Sequence, residues 1–373
     1  MSDSASRATQ PRVAVYANGE RVEGLVSFDV DLNTYYQADT FRVSLCLSAQ
    51  PANRGFAWWS SQADIEMDLL AGYPTTPDSF SRSDLVSLLV GNVDDIEIDP
   101  IADEITLAGR DLTSRFIDNK TIEKYQNLSA SAIAIKLATS RGLTPVVTDT
   151  PGPVGRYYQI DHVALQDDRP EWDLLTYLAN VTGNVVYVKG RELHFEPKPD
   201  PAQVPPYVLR WQPAAEGQAF PIFNGMRLRM SRNLTVAKNI RVTVRSSNYK
   251  QKGGFTVTAN RARVKSPVTR GVPRTYSPTQ QYSFAIPNLT PDEAQKRANQ
   301  ILKDISEHEM NMTAEVSGDP AIVPTTMVKL VGTETAYDQL YYPASVVHSF
   351  DSRGGYRTII RGKNSSPEST VIP

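Results

Sequence analysis

The sequence predicts a mainly β protein with an α+β middle: two antiparallel β modules, each a sandwich or a barrel, flanking a small α/β domain. Three observations predict it. Short apolar–polar alternations separated by turn residues fill both ends of the chain. Helical spacing is confined to the middle and one late segment. Charge divides at the same places. Residues 1–118 hold 8 Lys and Arg against 19 Asp and Glu, a net of −11; residues 119–210 hold 10 of each; residues 211–373 hold 21 against 12, a net of +9. The expected domains are therefore 1–118, 119–210 and 211–373. The last carries one helix and a loosely held Ser/Pro-rich tail, "GKNSSPESTVIP". A chain of 373 residues fits two to three domains.

Each element follows in order. "RVAVYANGERVEGLVSFDVDL" holds two apolar runs about Asn18-Gly19, a hairpin signal. "TFRVSLCLSA" sets Phe41, Val43, Leu45 and Leu47 against Arg42, Ser44, Cys46 and Ser48. "DIEMDLLAGYP", "DLVSLLVGNVDDIEID" and "DEITLAGRDLTSRFID" continue the pattern. The acids here keep period-two spacing: Asp29 and Asp31 interleave with Phe28, Val30 and Leu32, and Asp95, Glu97 and Asp99 with Ile96 and Ile98. Alternate residues of a strand share a face, so one face is expected apolar and the other acidic.

The texture changes after Asp118. "NLSASAIAIKLATSRGL" has helical spacing, with Ser129 or Ser131 as cap and Gly142 as its end. "RPEWDLLTYLANVTG" places Trp172, Leu175, Leu178 and Ala179 on one side, with Asp168 as cap and Pro170 in the first turn. "NVVYVKGRELHFEPKP" reads as a hairpin, and the Pro-rich "EPKPDPAQVPP" leads out. Strands then return. "NGMRLRMSR" alternates Met226, Leu228 and Met230 with Arg227 and Arg229; "NIRVTVRS" alternates Ile240, Val242 and Val244 with Arg241 and Arg245. Residues 226–274 hold 13 Lys and Arg and no acid. In "TPDEAQKRANQILKDISEHE", Thr290, Pro291 and Glu293 form the signature of a capped helix start. "MNMTAEVSGDPAIVPTTMVKLVG" and "YYPASVVHSFDSRGGYRTIIRG" supply closing strands.

Chemistry is sought and not found. His162, His194, His308 and His348 lie at no metal-ligand spacing, and Cys46 is the one cysteine, expected as a buried strand thiol. No GxSxG, P-loop or GxGxxG occurs, and Gly253-Gly254 reads as a turn. Asp95, Glu97 and Asp99 sit on a regular strand and fit no calcium loop. Trp58-Trp59 is either core or an anchor for a partner. No catalytic, cofactor or metal residue is assigned, and an enzyme is not expected. The polar start "MSDSASRATQPR" lacks a signal core, and no apolar run nears the roughly 20 residues of a membrane span. A soluble chain folded in a cytoplasm is expected. Two readings of the basic window survive. One is a docking face made of Arg227, Arg229, Arg241, Arg245, Arg261, Arg263 and Lys265. The other is a nucleic-acid-binding face. Among the basic residues aromatics are few, Tyr249 and Phe255, which favours docking.

The line "VGNVDDIEIDPIADEITLAGRDLTSRFIDNK", with its step Gly109-Arg110-Asp111, resembles the end of the first barrel in tailed-phage baseplate hub proteins of the late-control-D type. "ADTFRVSL" resembles an early strand of that barrel. The two middle helical stretches are similar to the family's middle domain, and "DEAQKRANQILKDISEHEMNMTAEVSGDPAIVPTTMVKLVG" to its C-terminal module. The resemblance covers most of residues 12–362. It implies two tail-tube-like barrels per chain and a homotrimeric ring that joins a sixfold tail tube to a trimeric spike. Other baseplate proteins would be its neighbours, and DNA would cross its lumen at ejection. It implies no cofactor, no membrane and a place in the virion after assembly in the host cytoplasm. Asp29, Asp31, Asp95, Glu97 and Asp99 would then form an interface or lumen face. No room is expected for a fused lysozyme or spike.

Overall fold

The computed structural model describes residues 10–121, 125, 127–152, 154, 169–198, 205–233, 240–247, 254–261, 279–287, 289–306 and 310–364. The fold is mainly β with a few helices, as the alternation predicts. The described residues fall into two compact units. Unit one draws on Met1–Val204, Val316–Thr325 and Ser345–Ile359; unit two on Pro205–Glu315, Thr326–Ala344 and Ile360–Pro373. Residue 118 falls within unit one, and that unit takes in two C-terminal stretches, residues 316–325 and 345–359, the second of which pairs with the N-terminal sheet through Ser345–Asp351.

In unit one the strands are β1 (Arg12–Ala17), β2 (Glu20–Arg21), β3 (Leu25–Asn33), β4 (Thr40–Cys46), β5 (Glu66–Gly72), β6 (Val86–Asp99), β7 (Glu104–Asp111), β8 (Lys120–Thr121), β9 (Thr144–Val147), β10 (Arg169–Pro170), β11 (Asn184–Lys189) and β12 (Glu192–Pro197). Unit two holds β13 (Tyr207–Gln212), β14 (Ile222–Phe223), β15 (Arg227–Arg232), β16 (Ile240–Ser247), β17 (Gly254–Arg261), β18 (Gln280–Ala285), most of β19 (Met310–Ser317) and β20 (Val328–Val331). The last strands, β21 (Leu340–Asp351) and β22 (Gly355–Asn364), contribute to both.

The main sheet of unit one runs β21-β3-β4-β7-β6-β5-β1-β2. Asn18 and Gly19, at φ 50° and 82°, close the β1–β2 hairpin in the left-handed turn that Asn-Gly favours. One face of this sheet is core. Phe28, Val30 and Leu32 on β3, Phe41, Val43 and Leu45 on β4, and Ile105 and Leu107 on β7 are all buried. Trp59 also lies in the core. It sits with the half-buried Trp58 on a short helix, Phe56–Ser60. Cys46 departs from expectation. Leu45 takes the core side, so the next residue turns to the polar face, where Cys46 Sγ lies 3.1 Å from Asp103 Oδ2.

Two helices, Ala130–Ser140 and Glu171–Thr182, share a second core with the sheet β11-β12-β9. Ser129 Oγ accepts from Ala132 N at 3.2 Å, the cap expected, and Gly142 follows at φ 74°. The second helix starts after Pro170 at its N-cap. The expected cap Asp168 lies outside the described residues.

Unit two holds β14-β13-β20-β21 and β15-β19-β22, plus a separate sheet, β17-β16-β18. The helix Pro291–Ser306 covers one side of that separate sheet, through Ala294 and Ala298 against Ile240, Val242 and Val244. Thr290 and Glu293 form the expected box: Thr290 N donates to Glu293 Oε2 at 2.8 Å, and Glu293 N to Thr290 Oγ1 at 3.3 Å.

Candidate functional site

The polar face of the main sheet in unit one is built by register. β6 carries a bulge at Asp94, since Val93 pairs with Gly109 and Asp95 with Ala108. The extra residue re-phases the strand. Val93 points to the core side, and Asp95 and Glu97, instead of following it inward, join the outer face. Across the sheet Ser349, Asp29, Arg42, Ala108 and Asp95 then form one row, and Asp351, Ser27, Ser44, Thr106 and Glu97 the next. Ser349 Oγ donates to Asp29, and Arg42 Nη2 lies 4.0 Å from Glu97 Oε2. The structure thus brings Asp29, Asp31, Asp95 and Glu97 to one face. Asp99, at the strand's end, has a further role: its Oδ1 accepts from Ile101 N at 2.9 Å and Ala102 N at 2.8 Å, which holds its carboxyl below the usual range.

The basic residues divide. Arg227 and Arg229 are exposed on β15, while Arg241 and Arg245 are exposed on β16 of the separate sheet, opposite its helix. They form two basic faces where one was expected. Arg261 ends β17; Arg263 and Lys265 lie outside the described residues, as do His162, His308 and Gly253.

The step Gly109-Arg110-Asp111 acquires a physical account. A Cβ on Gly109 would overlap Asn92 O and the Phe41 ring. The Arg110 guanidinium forks onto Asp94, at 2.7 and 2.9 Å, and reaches Asp118 at 2.9 and 3.1 Å. Those carboxylates raise its pKa. Asp111 is buried and accepts from Thr113 N at 3.2 Å and Thr113 Oγ1 at 2.8 Å, starting the short helix Ser114–Ile117.

Sequence reasoning missed three features. Asp111 N donates to Asp39 O at 2.9 Å, and both residues line a cavity of about 340 Å³ within unit one. Removal from water drives both carboxyls up, Asp111 to about 7, and Asp39 is raised further by the charge of Asp111. The second is Glu171, which is buried and clasped by Arg141 at 2.6 and 2.7 Å. His348, fully buried, is the third. Its Nε2 donates to Ile322 O at 3.0 Å, while Nδ1 accepts from Tyr356 Oη at 2.8 Å. Burial lowers its pKa to about 4. No sequence spacing signals these, because Asp39 with Asp111, Arg141 with Glu171 and His348 with Ile322 each meet across separate segments of the chain. Among the described residues no group of three His, Cys, Asp or Glu could hold a metal ion, and no helix is long and apolar enough to cross a membrane.

What the geometry assembles is charged sheet faces on a mainly β chain with an α/β part, a fold suited to surfaces. No protein-family profile and no curated protein matches the sequence. The fold itself is shared with solved structures. A tail protein from Neisseria meningitidis MC58 matches at TM-score 0.68 and 14% identity, over 96% of this chain and 98% of that one. The 43 kDa tail protein of prophage MuSo2 from Shewanella oneidensis matches at 0.64 and 15%, over 96% and 99%. The E. coli c3393 protein, a type VI secretion component described as similar to T4 tail proteins gp27 and gp5, matches at 0.53 and 10%, over 96% and 80%. At these identities the likeness is one of fold.

Proposed function

We propose that this chain is the baseplate hub of a phage tail. In this reading three copies form a ring that adapts a sixfold tail tube to a threefold spike and lets DNA pass. The observation that carries the reading is the end-to-end fold match, 96% of this chain on 98% of a tail protein. Two β modules per chain give a trimer six, which suits a sixfold tube above and a trimeric spike below. The acidic face around Asp29, Asp31, Asp95 and Glu97 supports a lumen role, since like charge keeps DNA from adhering. The basic residues Arg227, Arg229, Arg241, Arg245, Arg261, Arg263 and Lys265 serve as docking faces toward a neighbouring subunit or baseplate protein. Electrostatic pairing at such rims adds about 0.2–1 kcal/mol each, so it sets register more than affinity. The protein works in the virion, after assembly in the host cytoplasm, as a structural component.

Light scattering on the purified chain tests the reading. The expected mass is three times the 41.3 kDa of one chain, and a stable dimer would overturn it. Charge reversal of Arg241 and Arg245 to Glu is expected to weaken assembly and to change its salt dependence. The nucleic-acid reading of residues 226–274 predicts tight duplex binding that falls steeply with salt. A negative low-salt mobility shift removes it.

A further inference from the structure

The cavity of about 340 Å³ in unit one has no task in the ring reading. Its volume lies in the range that holds small ligands, about 300–1,000 Å³. Its walls are also fixed in advance. The loop 33–39 forms one of them and is tied down at both ends and in the middle. Asn33 N donates to Asp39 Oδ1 at 2.6 Å, and Asn33 Nδ2 to Ala38 O at 2.9 Å. Tyr36 N donates to Val186 O at 3.0 Å and Tyr36 Oη to Asn184 O at 2.8 Å, which fastens the loop to β11. Asp111 N on β7 donates to Asp39 O. A second wall, Val323 to Thr325, follows directly on Ile322, whose carbonyl is bonded to His348. Walls held in this way have little freedom left to lose when a ligand enters.

The charges of the lining balance. Lys189 and Glu192, both exposed at the rim, are cross-strand partners of opposite sign. Removal from water raises the carboxyls of Asp39 and Asp111, the second to about 7, so they line the cavity as acids and not as anions. What remains is apolar or neutral and polar. Leu32, Leu89 and Val188 are buried apolar side chains. Tyr35, Tyr187 and His194 form an aromatic stack, with centroids 5.5 and 4.6 Å apart. Three polar groups complete the lining: Asp39 Oδ2, the Gln37 amide and the Thr325 hydroxyl. Among the described residues none of the three has a hydrogen-bond partner, although the other oxygen of Asp39 has one. Polar groups set in a cavity wall without a protein partner are open to water or to a ligand.

Those groups select a class of ligand. A carboxylic acid, an amide and a hydroxyl each donate and accept. Ligand hydroxyls do the same, so a polyol pairs with all three in either sense. An anion offers acceptors alone and brings a charge that the lining does not answer. Aromatic rings carry negative charge on their faces, which suits the C–H groups of a saturated ring. We propose that this cavity binds a neutral sugar of monosaccharide size, its hydroxyls on Asp39, Gln37 and Thr325 and its C–H face against the Tyr35–Tyr187 wall. The site lies within one unit of one chain, so it does not depend on the ring reading.

Saturation-transfer NMR on the full native chain tests the site. The probes are glucose, N-acetylglucosamine, glucuronate as the charged sugar, and adenosine as a neutral ligand with a fixed donor and acceptor pattern. At least one neutral sugar is expected to give transfer, with a millimolar Kd, and glucuronate and adenosine to give several-fold less. Two variants locate the binding. Gln37→Trp covers the mouth and is expected to abolish transfer. Thr325→Val keeps the shape and removes one hydroxyl, and is expected to weaken binding roughly threefold to tenfold, the worth of one hydrogen bond. An unchanged melting temperature shows that each variant is folded. No transfer from either neutral sugar to the native chain overturns the site. Undiminished transfer in folded Gln37→Trp also overturns it, because the sugar then sits elsewhere. Tighter binding of glucuronate or adenosine overturns the ligand class. The trimer mass is read separately by light scattering, so the ring reading stands or falls on its own.

Discussion

Asp29 and Asp95 stand on one cross-strand row of the same sheet face, with Arg42 and Ala108 between them. They are far apart in sequence, and only the bulge at Asp94 puts the second on the side of the first. A bulge there is a device for aiming charge. If this face borders a DNA path, it should repel duplex, and reversing it should create binding. The triple variant Asp29→Lys, Asp95→Lys, Glu97→Lys is expected to bind duplex DNA at low salt by fluorescence anisotropy. Log affinity should fall against log salt with a slope of roughly −2 to −3, about −0.9 for each phosphate neutralised. Tight binding by the native chain under the same conditions would sink the lumen assignment.

Gly109 makes a separate prediction. It lies where β7 meets β6 and β4, and any Cβ would overlap the backbone of Asn92 and the ring of Phe41. The Phe41 ring is itself buried in the core and has little room to yield. Overpacking of this kind costs about 1–3 kcal/mol. Gly109→Ala is expected at the upper end of that range, measured by urea unfolding, whereas Gly19→Ala should act through its φ of 82° alone.

The contrast between those glycines shows what the sequence could reveal. Asn18-Gly19 is a local signal, and its hairpin was legible; so were Ser129 before its helix and the Thr290–Glu293 box, because a cap is settled within four residues. Alternation in "SFDVDL" and "RVTVRS" showed which residues face the core, since period two needs no partner. The register was not legible. Placing Asp95 on the row of Asp29, dividing Arg229 from Arg241, and returning β21 to β3 depend on which strands pair. That choice is made by long-range packing. The same limit hid the Asp39–Asp111 and Arg141–Glu171 pairs, whose members become neighbours only once the chain has folded.

Arg141 and Glu171 couple the two helices of the α/β part. Glu171 is 4% exposed, and its two oxygens take the Arg141 fork. Removing one partner strands a buried carboxylate, at a cost of about 3–5 kcal/mol. Arg141→Ala is expected to destabilise by that amount in chemical denaturation. Replacing both, Arg141→Met with Glu171→Leu, should recover most of the loss, because a hydrophobic pair has no charge to desolvate. Additive losses in the double variant would show that the two residues act independently.

Acid and base dependence give the last prediction, because two buried sites in unit one pull stability in opposite directions. His348 has its pKa lowered from 6.5 to about 4, chiefly by burial, with the Ile322 carbonyl and Asp319 opposing. Below pH 6.5 the unfolded chain takes up a proton that the folded one refuses until about pH 4. Stability therefore falls as pH drops through that window, by up to roughly 3 kcal/mol, and is complete above it. The Asp39–Asp111 pair behaves inversely. Burial raises both carboxyls, Thr113 and Asn33 oppose through hydrogen bonds, and Arg110 lowers Asp111 slightly. Between the ordinary carboxylate range and about pH 7 the folded chain keeps a proton that the unfolded one releases, so stability falls as pH rises. In the native protein the two slopes oppose between about pH 4 and 6.5. The double variant Asp39→Asn with Asp111→Asn, which removes both titrating carboxyls and can still accept from Asn33 and Thr113, is expected to leave stability rising with pH across that interval. His348→Gln is expected to leave it falling. Urea midpoints at several pH values read both, and slopes of the same sign in the two variants would refute the assignment of either group.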